Sequence, residues 1–371
     1  MRDRPDRSID GFDDHAARST TLPATMYFDP QVYTEEQEKI FQNSWQFVAH
    51  GAEVVSPGQY VTAEIAGQRI FVIRGDDGEL GGYFNVCLHR GHSLLSGSGT
   101  VGKMITCPYH AWAYNRSGQL KGARMSERMD GFDYSDFELP DLAVEEFCGL
   151  VFVNLSIHAR PMEEVYPGLA DAIRQICPEP ANLRVASQET FEIAGNWKNV
   201  TDNLLECYHC HPAHRAFVDL IDMDNYSQIT HQNWSISSGP VNPDSNVYAV
   251  TEGAQDFASI YVWPNLSIGR IPGQAGILLF RIAPTAPEHT TQILTFLSPG
   301  GDPTETEKNA FEYFNTVLGP EDVNLIEDVQ RGLHSLGYHQ GRMICIPDRP
   351  EISEHGVHHF QSMVRAALAG D

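Results

Sequence analysis

The sequence predicts an α+β protein in two parts, a small β-rich unit followed by an antiparallel sheet with helices beside it. Two patterns carry this reading. From residue 58 to about 155 the chain runs as short strand-like segments broken by Gly-rich turns, and beyond that longer strand-like runs alternate with helical stretches. The length agrees, since 371 residues suffice for two ordinary domains, each with its own core.

The elements follow in order. Residues 1–24 are expected to form a mobile arm. MRDRPDRSIDGFDDHAARS lacks the apolar stretch of a secretory signal, and Asp3, Asp6, Asp10, Asp13 and Asp14 make it too acidic for a transit peptide. Residues 25–157 form the first region. It opens with a helix over 33–46, which places Ile40, Phe41 and Trp45 on one apolar side. QYVTAEI, RIFVIR and YFNVC then read as hairpin strands. ITCPYHAWAYNRSGQL continues the style with NRSG as a turn, and FCGLVFVNL (147–155) closes the region as a buried strand. Residues 158–371 form the second region. A helical stretch, MEEVYPGLADAIRQI, and a strand, SQETFEIAGN, lead into WKNVTDNLLECYHC, whose helical spacing Pro212 should end. THQNWSI, SIYVWPNLSIGRI, GILLFRIAP and TTQILTFLSP return to strand. Asp302-Pro303 is expected to cap a helix over TETEKNAFEYFNTVL, with a second helix over EDVNLIEDVQRGLHSL.

Composition narrows the function. The apolar fraction of 42% and charged fraction of 20% are those of a folded globular chain. A formal charge of −24 with no basic stripe argues against nucleic-acid partners, and no apolar run approaches the ~20 residues of a membrane span. Seven cysteines imply reduced thiols or metal ligands rather than a disulfide framework, in a cytoplasmic setting.

Two clusters carry chemistry. Cys87-Leu-His89 and Cys107-Pro-Tyr-His110 stand in turn-rich segments with 17 residues between them. Two facing hairpin tips would offer two thiolates on one side and two imidazoles on the other, which suits a [2Fe–2S] cluster of Rieske type. A structural zinc ion takes the same ligand set, although zinc modules usually group Cys with Cys and His with His. Gly91, Gly97, Gly99 and Gly102 would let backbone wrap closely around either centre.

The second cluster is Glu206, Cys207, Tyr208, His209, Cys210, His211 and His214, in the run ECYHCHPAH. On one helix Glu206 and His209 share a face, while Cys207 and Cys210 share another. His214, beyond Pro212, can fold back towards His209. Two His from one segment need a carboxylate from elsewhere to complete an iron-binding facial triad. Asp322 is the choice, because helical spacing puts it on a stripe with Leu325, Ile326, Val329, Leu333 and Leu336. Glu321 aligns instead with Asn324 and Asp328 on a solvated face.

With these motifs together, the chain resembles the oxygenase (alpha) subunits of Rieske non-haem iron oxygenases over essentially residues 25–365. The matching stretches include YFNVCLHRGHSLLSGSG, ITCPYHAW, DNLLECYHC, PEDVNLIEDVQRGL and ISEHGVHHF, and they are most similar to the branch that acts on quaternary ammonium compounds. The resemblance implies an all-β Rieske domain at the N-terminus and a helix-grip catalytic domain at the C-terminus. It implies that Cys87, His89, Cys107 and His110 hold the [2Fe–2S] cluster and that His209, His214 and Asp322 hold mononuclear Fe(II). Glu206 would link the Rieske His of a neighbouring subunit to the iron His within a homotrimer, leaving Cys207, Cys210 and His211 as bystanders. O2 is the implied cosubstrate. A separate NAD(P)H-dependent flavin/iron–sulfur reductase is implied too. The implied reaction is hydroxylation of a small cationic substrate with C–N cleavage, as of carnitine or γ-butyrobetaine, or else N-demethylation of a betaine. Aromatic faces would hold the ammonium group, and Tyr208, Phe217, Trp234, Tyr261 and Trp263 are the candidates.

Overall fold

Side-chain alternation along one strand shows how the first unit is built. In the computed structural model, which describes residues 9–346, 348, 349 and 352–370, the strand Gln68–Arg74 has Ile70 to Ile73 fully buried. Phe71 and Ile73 face a core that contains Tyr83, Cys87, Cys107, Trp112 and Tyr114, whereas Ile70 and Val72 face a second core with Val61 and Val151. The strand lies inside a seven-stranded sheet in the order Gln46–His50, Leu150–Asn154, Asp141–Phe147, Leu80–Phe84, Gln68–Arg74, Gln59–Ile65, Ser98–Thr100. A small three-stranded sheet, Met104–Thr106, Ala113–Asn115 and Leu120–Gly122, carries the second Cys/His pair at its first hairpin. The compact unit runs from Phe41 to Val165.

The other unit comprises the chain up to Ile40 and from Tyr166 onward. Seven antiparallel strands pair in the order Leu183–Ile193, His289–Pro299, Ile277–Ala286, Leu266–Arg270, Asp256–Val262, Trp234–Pro240, Ser227–Thr230. The helix Trp197–Leu204 packs against the helices Gly319–Leu333 and His355–Ala369 and against the strand Ile277–Ala286. Its N-terminus is capped by Asn196, whose side chain accepts from the Lys198 amide at 2.9 Å. A fully buried ion pair, Lys198 Nζ to Glu36 Oε1 at 2.5 Å, ties this helix to the helix Pro30–Glu36. No helix among the described residues is long and apolar enough to cross a membrane.

Several expectations need correction. The first eight residues of the expected mobile arm lie outside the described residues, but Ile9 to Ala24 do not behave as an arm. Thr20 bridges to Arg342, the Leu22 amide donates to Gln361 Oε1 at 2.8 Å, and Phe12 stacks on His358. The leading helix also belongs with the other unit, so the β-rich unit begins at Phe41 rather than residue 25 and ends at Val165 rather than 157. Local helical periodicity cannot report which core an amphipathic helix joins. The cap of the late helix is Thr304, not Asp302, because Thr304 and Glu307 form a reciprocal capping box. Glu307 is itself buried and accepts from the Ser298 hydroxyl and the Ala275 amide, both at 3.0 Å. The strand Gln46–His50 and the helix His355–Ala369 were not foreseen. Part of the loop 346–352 lies outside the described residues.

Candidate functional site

The cluster-type site is made by two loops of the same design. Cys87 N–H donates to the His92 carbonyl and its own carbonyl accepts from Gly91, at 2.8 and 2.9 Å. Cys107 N–H donates to the Trp112 carbonyl and its carbonyl accepts from Ala111, at 2.8 and 3.0 Å. Each loop needs a left-handed residue four places after its Cys, which Gly91 supplies at φ +74° and Ala111 at φ +59°. Both thiols are free and buried, and the His89 and His110 rings stand 4.5 Å apart, centroid to centroid. His89 also stacks on Trp112 at 4.9 Å. Tyr114 Oη accepts from the Leu88 amide at 3.1 Å and lies 3.5 Å from Cys87 Sγ. Burial pushes the Cys87 thiol pKa up. His110 Nδ1 is buried with no hydrogen-bond partner among the described residues. A buried imidazole nitrogen without a partner is costly and is what a missing ligand bond leaves behind. The donor set therefore fits a metal centre of two thiolates and two imidazoles.

The second site converges from three places. The helix that starts at Trp197 ends at Leu204, so Glu206 and His209 are not on one continuous helix, contrary to the sequence reading. Pro212 does not stop that helix; it sits inside a separate one-turn helix, Cys210–Ala213. The intervening turn holds Glu206 against His209 in two ways. The His209 amide donates to Glu206 Oε2 at 3.0 Å, and His209 Nδ1 pairs with Glu206 Oε1. His209 Nε2 then lies 3.0 Å from His214 Nε2, and Asp322 Oδ1 lies 2.9 Å from His214 Nε2 and 3.7 Å from His209 Nε2. Three donor atoms of types N, N and O gather within 4.8 Å of one another, a set that could hold a single metal ion with open positions.

The carboxylates set the protonation of this group. Burial works against the His209 cation, but the nearby Asp322 and Glu206 carboxylates overcome it and hold the imidazole up at about 10. Burial likewise opposes the His214 cation, and Asp322 and Glu321 outweigh it. Burial raises the Asp322 carboxyl while the two imidazoles lower it, and the imidazoles win. A metal ion would replace the protons that these groups share.

Asp322 is where the sequence put it, but the reason given was wrong. Leu325 and Val329 are 38% and 52% exposed and Leu336 is fully exposed, so the assumed stripe is not an apolar face. Ile326 and Leu333 alone of that stripe are buried. Glu321, assigned to a solvated face, instead bonds His214 Nδ1 through Oε2 at 2.8 Å. Both imidazoles thus present Nε2 to the centre and have Nδ1 held by a carboxylate, Glu206 for His209 and Glu321 for His214. The sequence signal was available: a second acid next to Asp322 on a helix whose first turn faces the site.

A cavity of about 100 Å³ has the triad on its wall, with the rings of Phe191, Phe217, Tyr226, Phe257, Phe280 and Phe314 around it. Phe217 and Phe257 meet edge to face at 5.2 Å, as do Phe280 and Phe314. Of the five aromatic residues proposed from sequence, only Phe217 lines this cavity. Tyr208 is half exposed. The Trp234 indole donates to the Pro167 carbonyl at 3.0 Å, Tyr261 Oη donates to the Pro264 carbonyl at 2.5 Å, and Trp263 packs near Phe360. The cavity rings missed from sequence include Phe191, Phe257 and Phe280 on strands, where period-two alternation decides the face. Cys207 and Cys210, expected as reduced bystanders, are joined as a disulfide and both line the cavity.

Comparison with known proteins agrees with this geometry, first at the level of class. Residues 44–133 match the Rieske [2Fe-2S] domain and residues 180–370 match the catalytic domain of the ring hydroxylating alpha subunit. The chain belongs to the Rieske non-haem iron oxygenase alpha subunits, oxygen-incorporating oxidoreductases with a [2Fe–2S] cluster and a mononuclear iron. Within that family it is 39% identical, over 93% of this chain and 94% of the relative, to the carnitine monooxygenase oxygenase subunit of Acinetobacter pittii (strain PHEA-2). A solved quaternary ammonium Rieske monooxygenase, described as giving insight into carnitine oxidation and inter-subunit electron transfer, superposes with a TM-score of 0.90. It is 38% identical and covers 96% of this chain and 98% of its own. The glycine betaine monooxygenase oxygenase subunit of Chromohalobacter salexigens is 35% identical over 55% of this chain and 46% of the relative.

Proposed function

We propose that this chain is the oxygenase component of a two-component monooxygenase that hydroxylates a small trimethylammonium substrate and so breaks its C–N bond, with carnitine or γ-butyrobetaine as the substrate. The observation that carries this is the triad of His209, His214 and Asp322 on the wall of a cavity ringed by six aromatic side chains. Aromatic faces attract a quaternary ammonium group by about 0.5–2 kcal/mol per ring. Near full-length similarity to a carnitine monooxygenase subunit supports the choice of substrate.

In this reading Cys87, His89, Cys107 and His110 hold the cluster, and His209, His214 and Asp322 hold Fe(II). Together these centres supply stepwise electron delivery and the activation of O2 for insertion of one oxygen atom beside the quaternary nitrogen. The protein's own groups do the rest. The phenylalanines exclude water and orient the trimethylammonium end. Glu206 and Glu321 fix both imidazoles with Nε2 inward. The hydroxylated product then loses trimethylamine as its carbonyl forms.

Glu206 also links the iron His to the Rieske His of a neighbouring subunit, so the working form is a homotrimer in the cytoplasm. A separate NAD(P)H-dependent flavin/iron–sulfur reductase feeds it. The test is a panel of betaines with reconstituted reductase, read by mass spectrometry and O2 uptake. Trimethylamine from carnitine or γ-butyrobetaine is expected. Formaldehyde in its place would move the assignment to N-demethylation, and no substrate-dependent O2 uptake would sink it.

A further inference from the structure

We infer that Asp202 is the carboxylic acid that feeds protons to the oxygenase site, through a second cavity that reaches Glu206 and His209. The inference rests on the oxygenase reading, because that reaction consumes protons: RH + O2 + 2 e− + 2 H+ → ROH + H2O. The reductase supplies the electrons, and the protons need a route of their own. A second cavity of about 280 Å³ shares Glu206 and His209 with the substrate cavity and has Asp202 and Glu354 on its wall as well.

Asp202 sits in an asymmetric environment. Its Oδ2 accepts from Tyr27 Oη at 2.7 Å and from Gln361 Nε2 at 3.0 Å. Gln361 is fixed in turn, since its Oε1 accepts from the Leu22 amide at 2.8 Å. Oδ1, by contrast, is shielded from solvent and has no hydrogen-bond partner among the described residues. An ionised carboxylate with one oxygen unpaired and shielded from solvent is costly, and a proton on Oδ1 removes the charge that makes it so. The ionisable groups that face Asp202 do not reverse this. Lys198, on the same helix, is committed to Glu36 at 2.5 Å, and Glu354, Tyr27 and Tyr261 bring no positive charge. Burial therefore dominates over the Tyr27 and Gln361 hydrogen bonds and pushes the carboxyl up to about 7, poised to give and regain a proton near neutrality.

In each relay step the Oδ1–H bond breaks and the proton passes along the cavity wall towards Glu206. Asp202 then takes a replacement proton from solvent. No electrons move in this step, and two such cycles satisfy one turnover. Asp202 acts through the cavity and does not touch substrate, so its role is to store and relay.

The test uses the metal-loaded enzyme with its reductase and compares wild type with Asp202→Asn and Tyr27→Phe. Iron and acid-labile sulfide are measured first, then product and H2O2 against pH, and the infrared carbonyl band of the protonated carboxyl against pH. In wild type, product formation should fall as pH rises through about 7. Asp202→Asn should keep both metals, lose about 100-fold in product rate, show no such limb, and divert O2 to H2O2. Tyr27→Phe removes a donor to the ionised form, so both the limb and the infrared titration should move up by ~1 pH unit. Asp202→Asn with an unchanged limb, or Tyr27→Phe with a lower rate but an unmoved limb, overturns the relay and leaves Asp202 structural. If wild type itself consumes no O2 with any ammonium substrate, the oxygenase reading falls, and the infrared titration still shows whether Asp202 holds its proton.

Discussion

The two metal-type sites of this chain are built in opposite ways. The cluster-type site comes from two short loops, each closed on itself by the same pair of backbone hydrogen bonds, so Cys87 with His89 and Cys107 with His110 are placed by local structure. The iron-type site takes His209 and His214 from a broken helical segment and Asp322 from a helix more than a hundred residues later. A local site survives in the sequence as a motif with fixed spacing. An assembled site leaves only fragments, and its geometry is a property of how a sheet and three helices pack.

Substitutions can break that contrast. The largest effect is expected from a reciprocal pair. Asp322→Ala should lose iron and drop turnover more than about 100-fold while the visible absorption of the cluster stays. Cys107→Ser should lose the cluster absorption and keep stoichiometric iron. Loss of both centres in either variant would show that the two sites are not independently built. Glu321→Gln tests how far the assembled site depends on its supporting carboxylate. Iron affinity, measured by competition with a chelator, should fall roughly 10-fold with the cluster unaffected.

Asp202 gives a smaller effect with a defined sign. Its carboxyl is raised to about 7 in the folded protein from an ordinary value of 3.8, so the folded state binds the extra proton between those values. Stability should therefore fall as pH rises from ~4 to ~7 and then level off. Asp202→Asn should remove this slope and leave the variant more stable than wild type at pH 8, on the order of 2 kcal/mol, read from urea midpoints at pH 5 and pH 8. The smallest effect belongs to the local site. Ala111 occupies a left-handed position that Gly91 fills in the sister loop. Ala111→Gly should stabilise the protein by about 0.5–1 kcal/mol, whereas Gly91→Ala should destabilise it by roughly 1–2 kcal/mol, both measured by denaturant midpoint.

Much of the fold could be read from the sequence where the pattern was local. The buried strand at 150–154, the late helices and both metal motifs came from period, turn chemistry and ligand spacing. What could not be read was which partner an element finds. The helix Pro30–Glu36 looked like the opening of the β-rich unit, and it is held in the other by Glu36 on Lys198 and on the Trp197 indole, the latter at 2.8 Å. The run 197–210 looked like one helix with a proline stop just beyond it. It breaks at Leu205 and restarts at Cys210, because Glu206 is drawn to the His209 amide and ring.

The sequence by itself determined the chemistry: two Cys/His pairs at fixed spacing, two histidines five residues apart, and a distant acid. Only the tertiary structure decided the surroundings. It put Glu321 rather than solvent behind His214, and it brought Phe191, Phe257, Phe280 and Phe314 rather than the predicted tryptophans to the cavity. It also left one oxygen of Asp202 buried with no hydrogen-bond partner among the described residues. The physical reason is that ligand chemistry is carried by residue type, whereas burial, partner and face are set by the packing of elements far apart in the chain.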